Sequence, residues 1–224
     1  MDLSYCVPLV NRIQDMINAP NLKAIFKPQG LPSLFEEISE FLKDHNKKVL
    51  RISLSNLPFE HNTREIIGNA IGRHLLEIGR KGKLSKRPVV LILDEAHQFL
   101  NQQIREQNEH FPLDSFGLIA KEGRKYSLTI VISTQRPRDI PEDVLSQVGI
   151  FLIHRLTNDY DLTVVERAAG TISKETMSVL PNLIPGESIL LGVSIEQPIL
   201  LKMHAPVHPP LSKGPDYQLY WRGA

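Results

Sequence analysis

The sequence has a single cysteine, Cys6, among its 224 residues. One thiol excludes an intramolecular disulfide and any zinc site built on paired cysteines. No apolar run approaches the ~20 residues that a membrane-spanning helix requires. The amino terminus, MDLSYCVPLV, lacks the basic-then-apolar layout of a secretory signal. An excess of charge of either sign is also missing: 26 Lys and Arg against 25 Asp and Glu leave a formal net charge of +1. Total charge therefore gives no argument for nucleic acid, and any basic surface has to be local. Internal repeats and low-complexity blocks are absent. With 42% hydrophobic and 23% charged residues, the composition is that of a soluble globular protein from a reducing compartment. A cytoplasmic chain without membrane contact is expected, of a length that fits one α/β domain with appendages or two small domains.

The spacing of apolar residues divides the chain. Residues 1–47 read as a helical segment packed on the core, with Leu9, Ile13, Met16 and Ile17 on one helix and Leu34, Ile38, Phe41 and Leu42 on a second. Ser33 followed by Glu36 three residues later has the form of a capping box opening the second helix. Residues 48–205 form the core. There, Val49 to Leu54 is a short β-prone run, and a helix is expected from Thr63 to Ile78. Val89 to Leu93, apolar on both faces, reads as a central parallel strand. A helix over Leu113–Lys125, a strand over Leu128–Ser133, a short helix over Glu142–Gln147, a strand over Ile150–Ile153 and a helix over Asp159–Ala169 follow. This alternation predicts βαβ units and a mostly parallel sheet flanked by helices. Ser188–Val193 and Pro198–Met203 predict a hairpin on the sheet edge. Residues 206–224, rich in proline, read as an extended tail docked through Tyr220 and Trp221.

Three stretches carry chemistry. Val89–Leu93 followed by Asp94-Glu95 has the shape of a Walker B element, in which a buried strand delivers two carboxylates to the carboxyl edge of a parallel sheet. Asp94 is suited to hold magnesium, and Glu95 to orient and polarise a water. The next strand ends in Ser133-Thr134-Gln135-Arg136-Pro137, which places the Gln135 amide where it can sense a γ-phosphate or align water. Lys121-Glu122-Gly123-Arg124-Lys125-Tyr126 ends the preceding helix. Arg124 therefore falls on the edge opposite the strand tips, ill placed for its own subunit and better placed for a neighbour in a ring. An ordinary cation at a helix end is the bland alternative.

These residues resemble a known family. LILDEAHQFL, AKEGRKYSLTIVISTQRP, the stretch Val148 to Arg155 and IPGESILLG together are similar to the HerA-like branch of the HerA–FtsK ATPases, ring-forming DNA motors with a RecA-like P-loop NTPase core. The resemblance runs from about Lys48 to His204. It implies ATP and Mg2+ as cofactors, Asp94 as the metal and cofactor carboxylate, Glu95 as the catalytic one, and Gln135 as the polar sensor. It further implies Arg124 as an arginine finger acting in trans, Arg136 as a phosphate contact and Arg155 as a weaker candidate. His97 reads as a structural contact. The letters DEAH also name another helicase superfamily, whose later motif of paired arginines and glycines is missing here.

The phosphate-binding loop G-x-x-x-x-G-K-[ST] that such ATPases require is absent from the sequence. Gly82-Lys83 is followed by Leu84 and preceded by no strand. The resemblance thus implies the carboxyl-terminal part of a motor that acts as a homo-oligomeric, hexameric ring on double-stranded DNA. The alternative is a catalytically inactive assembly subunit that builds a ring or recruits a nuclease or other effector protein. The family's phosphate-loop strand lies beside the strand ending in Thr134. Its place is open to an upstream segment, to the amino-terminal helices, or to closure of the sheet. Arg80, Lys81, Lys83, Lys86 and Arg87 form a basic loop read as a solvated face, and Asn101–His110 leaves the active edge as a candidate to line a ring's pore, with a loose surface loop as the default reading.

Overall fold

A computed structural model describes residues 6–22, 25, 30, 32–57, 62–100, 113–170 and 172–208, which divide into two compact units, 1–147 and 148–224. In the first unit, α1 spans Val7–Asn18 and α2 spans Leu34–Lys43. The capping box opens α2: Ser33 Oγ accepts from the Glu36 amide, and the Glu36 carboxylate accepts from the Ser33 amide at 2.8 Å. The other end of α2 is closed by Arg87. Its guanidinium donates to the carbonyls of Phe41, Leu42, Asp44 and Lys47 at 2.6–2.9 Å and lies 4.8 Å from the Phe41 ring centroid. The Phe41 and Leu42 carbonyls belong to the last turn of α2, whose carbonyls lack partners within the helix and sit at the negative end of its dipole. One residue of the basic loop is thereby a structural clamp. By contrast α1 leaves Val7, Leu9, Val10 and Ile13 exposed.

α3 runs Thr63–Arg80 and β1 Val89–Leu93. α4, Ser115–Glu122, is continued by a 3-10 turn at Gly123–Tyr126 into β2, Leu128–Ile132, and α5 is the single turn Glu142–Leu145. β1 and β2 pair in parallel, Val89 opposite Leu128 through Leu93 opposite Ile132. The crossing of α3 and α4 is close, because Gly68 and Gly72 present no side chain to Phe99, Phe116 and Ser115. Ile71, Leu75, Leu93, Phe116, Ile119 and Leu128 are buried in this unit's core.

In the second unit, β3 (Ile150–Ile153), β4 (Glu187–Gly192) and β5 (Ile199–Lys202) form an antiparallel sheet in the order β3-β4-β5. It packs with α6, Asp159–Ala169, and α7, Lys174–Val179, around Ile153, Val165, Leu180, Leu183, Ile189 and Leu191. Asn158 caps α6 by accepting from the amides of Tyr160 and Asp161.

The α/β class and the carboxyl-terminal hairpin stand as expected, and four details differ. Val49–Leu54 is not a strand: Val49 is exposed, and no strand among the described residues pairs with the run. A short β-prone run without a ladder partner gains too little to order as a strand. The third strand does not extend the parallel pair but bonds antiparallel to β4, and the hairpin joins that second sheet. Among the described residues β2 has β1 as its one strand partner. Finally, β1 is covered on one face only. Val90, Ile92 and Val131 are 60, 66 and 45% exposed, so the expected burial on both faces is met on the side of α3 and α4 alone. The short helix α7 was not expected. Residues 101–110, most of the turn 27–30, and Tyr220 and Trp221 lie outside the described residues.

Candidate active site

The carboxyl ends of β1 and β2 are tied together past the last paired strand residues. The Ser133 amide donates to the Leu93 carbonyl and the Ala96 amide to the Ser133 carbonyl, both at 2.9 Å. This tie fixes Asp94 and Glu95 beside the Ser133–Gln135 segment. Asp94 is exposed, and its Oδ1 accepts from the Glu95 amide at 3.1 Å and from the Ser133 hydroxyl at 3.3 Å. Two donors on one oxygen orient the carboxylate and leave the other oxygen available.

Glu95 occupies the left-handed region, with φ 51 and ψ 46. For a residue with a Cβ this conformation costs on the order of 1–3 kcal/mol and persists only where its surroundings impose it. Here Ala96, fully buried, anchors the following 3-10 turn Ala96–Gln98 through its bond to Ser133. The left-handed step turns the chain out of the strand and holds the Glu95 side chain at the strand tips. Its Oε1 accepts from Gln135 Nε2 at 3.0 Å, and its Oε2 lies 3.4 Å from His97 Nδ1. His97 Nδ1 is also 3.2 Å from the Thr134 hydroxyl, which accepts from the Arg136 amide at 3.0 Å.

Asp94, Glu95 and Gln135 are therefore brought together. The Arg136 backbone joins the same network, while its guanidinium pairs with Asp139 at 2.9 Å. Arg124 is elsewhere: it is exposed on the 3-10 turn before β2. With about 3.3 Å per strand residue, β2 separates it from the tips by roughly 15 Å or more. Arg155 is exposed just after β3, in the second unit.

His97, read from sequence as a structural contact, is 15% exposed and touches the Glu95 carboxylate. Ser133 and Thr134 likewise join the site as a donor to Asp94 and a partner of His97. His97 is brought there by the left-handed turn at Glu95, which places the second residue after it back against the strand tips. Sequence spacing does not show that turn.

Chemically, the arrangement offers an exposed, oriented carboxylate beside a second one whose two oxygens are each steadied by a neighbour. A carboxylate has about four acceptor positions, so Glu95 keeps capacity for a water while bonded to Gln135. Among the described residues no group of three His, Cys, Asp or Glu side chains is placed to hold a metal alone. Mg2+ does not need such a cage, since it is commonly held by one or two carboxylates, waters and phosphates, and Asp94 fits that role. No helix among the described residues is long and apolar enough to cross a membrane.

Comparison with known proteins gives the family. The family model described as Helicase HerA-like C-terminal matches residues 74–213. The DNA double-strand break repair helicase HerA of Pyrococcus furiosus is 27% identical over 201 residues, covering 85% of this chain and 36% of that protein. The protein of the same name from Saccharolobus solfataricus is 25% identical over 180 residues, covering 78% of this chain and 35% of that one. The chain thus spans about a third of the length of these curated relatives. Among solved structures, the genome packaging NTPase B204 of Sulfolobus turreted icosahedral virus 2, in complex with sulfate, aligns with a TM-score of 0.52. It does so at 15% identity, over 92% of this chain and 91% of that chain, a likeness of fold alone. With the family model covering more than half of the sequence, the chain belongs to the HerA-like helicase family, in its carboxyl-terminal region.

Proposed function

We propose that the chain is the carboxyl-terminal part of a HerA-type ATPase that couples ATP hydrolysis to movement of double-stranded DNA through a homo-hexameric ring. The observation that carries this reading is the bridge between Glu95 and Gln135 at the tips of two adjacent parallel strands, inside the matched segment. The names of the relatives support the DNA-motor class, and the nucleotide-bound forms of the packaging NTPase support ATP as the ligand: that protein has been solved with ATP-gammaS, aligning here with a TM-score of 0.50 at 16% identity.

When bound, Mg2+–ATP supplies the phosphoryl group that is transferred to water, and the metal neutralises charge on the phosphates. The chain's own residues do the rest. Asp94 would hold the magnesium, directly or through water, by the oxygen that the Glu95 amide and Ser133 hydroxyl do not engage. Glu95, fixed by Gln135 and His97, accepts a hydrogen bond from the attacking water and holds it in line. Gln135, already bonded to Glu95, couples the presence of a γ-phosphate to the position of that carboxylate. Arg136 is close enough in sequence to contact a phosphate by exchanging its Asp139 partner. Arg124, on the opposite edge, reaches a neighbouring subunit's site and stabilises transition-state charge there.

The sequence contains no phosphate loop, and that specific observation favours a second reading. In it the chain is an inactive assembly subunit that builds a ring or recruits a nuclease or other effector, its carboxylates serving no reaction. The readings part when a phosphate-loop segment from a HerA-like relative is supplied, in trans or fused. The ATPase reading predicts Mg2+-dependent turnover by the combined protein. The assembly reading predicts oligomers with no turnover above that of the added segment.

A further inference from the structure

The proposed ATPase chemistry leaves Thr134 unused, yet its hydroxyl stands at a junction of the site. Thr134 is half-buried in the segment that follows β2. Its hydroxyl oxygen accepts from the Arg136 amide at 3.0 Å and lies 3.2 Å from His97 Nδ1. The same Nδ1 is 3.4 Å from Glu95 Oε2, on a ring that is only 15% exposed. One ring nitrogen therefore meets a hydroxyl and a carboxylate together. The root of that ring is fixed as well, because Ala96, fully buried, opens the 3-10 turn that carries His97 and is bonded to Ser133.

Two arguments decide what that nitrogen carries. A bare Nδ1 would turn its lone pair toward the Glu95 carboxylate and be repelled, whereas an Nδ1–H is attracted by it. Thr134 Oγ1 has two lone pairs; the Arg136 amide takes one, and the other is open to the imidazole N–H. His97 thus faces Glu95 as a donor, and the hydroxyl beside it keeps the ring from turning about χ2. The other carboxylate oxygen, Oε1, is held by Gln135. Both oxygens of Glu95 are in this way referred to the three consecutive residues 134–136, one through an amide side chain and one through an imidazole.

We infer that Thr134 is a positioning residue for Glu95 that acts through His97. Its hydroxyl holds the imidazole with Nδ1–H toward Glu95 Oε2, and so sets the direction in which that carboxylate meets the attacking water. The inference rests on the ATPase reading for the reaction, and on the distances alone for the contact. Because the Arg136 amide in turn holds the Thr134 hydroxyl, a displacement of the Arg136 backbone reaches Glu95 along this arm as well as through Gln135.

The contact is read on the chain alone, and its effect on the chain complemented with a HerA-like phosphate-loop segment. Nitrogen NMR of the neutral His97 ring should report the Nδ1–H form. Thr134→Val should shift the ring toward the Nε2–H form, and Thr134→Ser should restore it. In the complemented protein, Thr134→Val and His97→Ala should each lower kcat about tenfold or more with KM nearly unchanged, since the misplaced group meets water and not the nucleotide. His97→Asn, whose amide nitrogen falls where Nδ1 stood, should regain most of the loss. His97→Gln, which places its amide where Nε2 stood, should not. An Nε2–H ring in the natural chain, a kcat in Thr134→Val equal to the natural one, or equal losses in His97→Asn and His97→Gln overturns the inference while the ATPase reading stands. No turnover by the natural complemented protein removes that reading and the positioning role with it, and the ring resonances then show separately whether the contact exists.

Discussion

Gln135 donates from Nε2 to Oε1 of Glu95 at 3.0 Å, joining the tips of two parallel strands from positions 40 residues apart in sequence. Neither side chain is held by its own strand alone. The contact exists because the Ser133 backbone is bonded to Leu93 and to Ala96, so the geometry of the candidate centre depends on the β1–β2 pairing. A Gln at position 95 can still accept from Gln135 through its amide oxygen, whereas it loses the charge that polarises water.

The left-handed backbone of Glu95 gives a prediction independent of catalysis. Glu95→Gly removes the steric cost of φ 51, and Glu95→Ala keeps it while losing the same carboxylate. The glycine variant is expected to be the more stable of the two by about 1 kcal/mol, measured by urea unfolding. Equal stability would mean that the turn is not strained.

Arg87 holds four carbonyls around the end of α2. Arg87→Ala removes the guanidinium from all four and should cost about 2 kcal/mol or more, the Asp44 carbonyl keeping a second donor in the Lys47 amide. Protection of the α2 amides from hydrogen exchange should fall with it. Arg87→Lys restores the charge but not the fork, and is expected to recover less than half of the loss.

At the α3–α4 crossing, alanine is the better helix former, yet Gly72→Ala is expected to destabilise. An added Cβ would collide with the Ser115 hydroxyl and approach Phe116 Cε1 to 3.0 Å, for a cost of about 1–3 kcal/mol. Ser115 Oγ is itself buried and without a partner. Ser115→Ala should therefore be tolerated alone and should recover part of the Gly72→Ala loss, as thermal unfolding of the double variant will read.

Arg124 and Glu95 lie at opposite ends of the strands, so a shared reaction needs two subunits. In a phosphate-loop-complemented ring, Arg124→Ala and Glu95→Gln should each abolish turnover, and a mixture of the two should regain part of it. In the mixture some interfaces pair an intact Glu95 with a neighbour's intact Arg124. Absence of rescue in mixed rings would assign Arg124 to its own subunit or to no catalytic role.

Much of this architecture was legible from residue spacing. The α2 capping box, the strands 89–93 and 150–153, and the helix 159–169 follow from local chemistry and period, which the chain satisfies within each element. The Asp94–Glu95 and Gln135 tips were legible because hydrophobic strands ending in polar residues have one edge at which to present them. What escaped depends on partners distant in sequence. Val49–Leu54 has strand-like composition and no ladder, and β3 turns to β4 rather than continuing the parallel pair. His97 reaches Glu95 only through a backbone turn that a glutamate rarely adopts, and Arg87 reads as one charge in a basic loop until the end of α2 arrives beside it.

The most direct measurement is Mg2+-dependent ATP hydrolysis by the chain complemented with a HerA-like phosphate-loop segment, comparing the natural protein with Glu95→Gln. If Glu95 orients the attacking water, the variant retains nucleotide binding and its unfolding midpoint while turnover falls by about a hundredfold or more. Turnover equal to that of the natural protein would contradict the assignment and remove the β1–β2 tips from the chemistry.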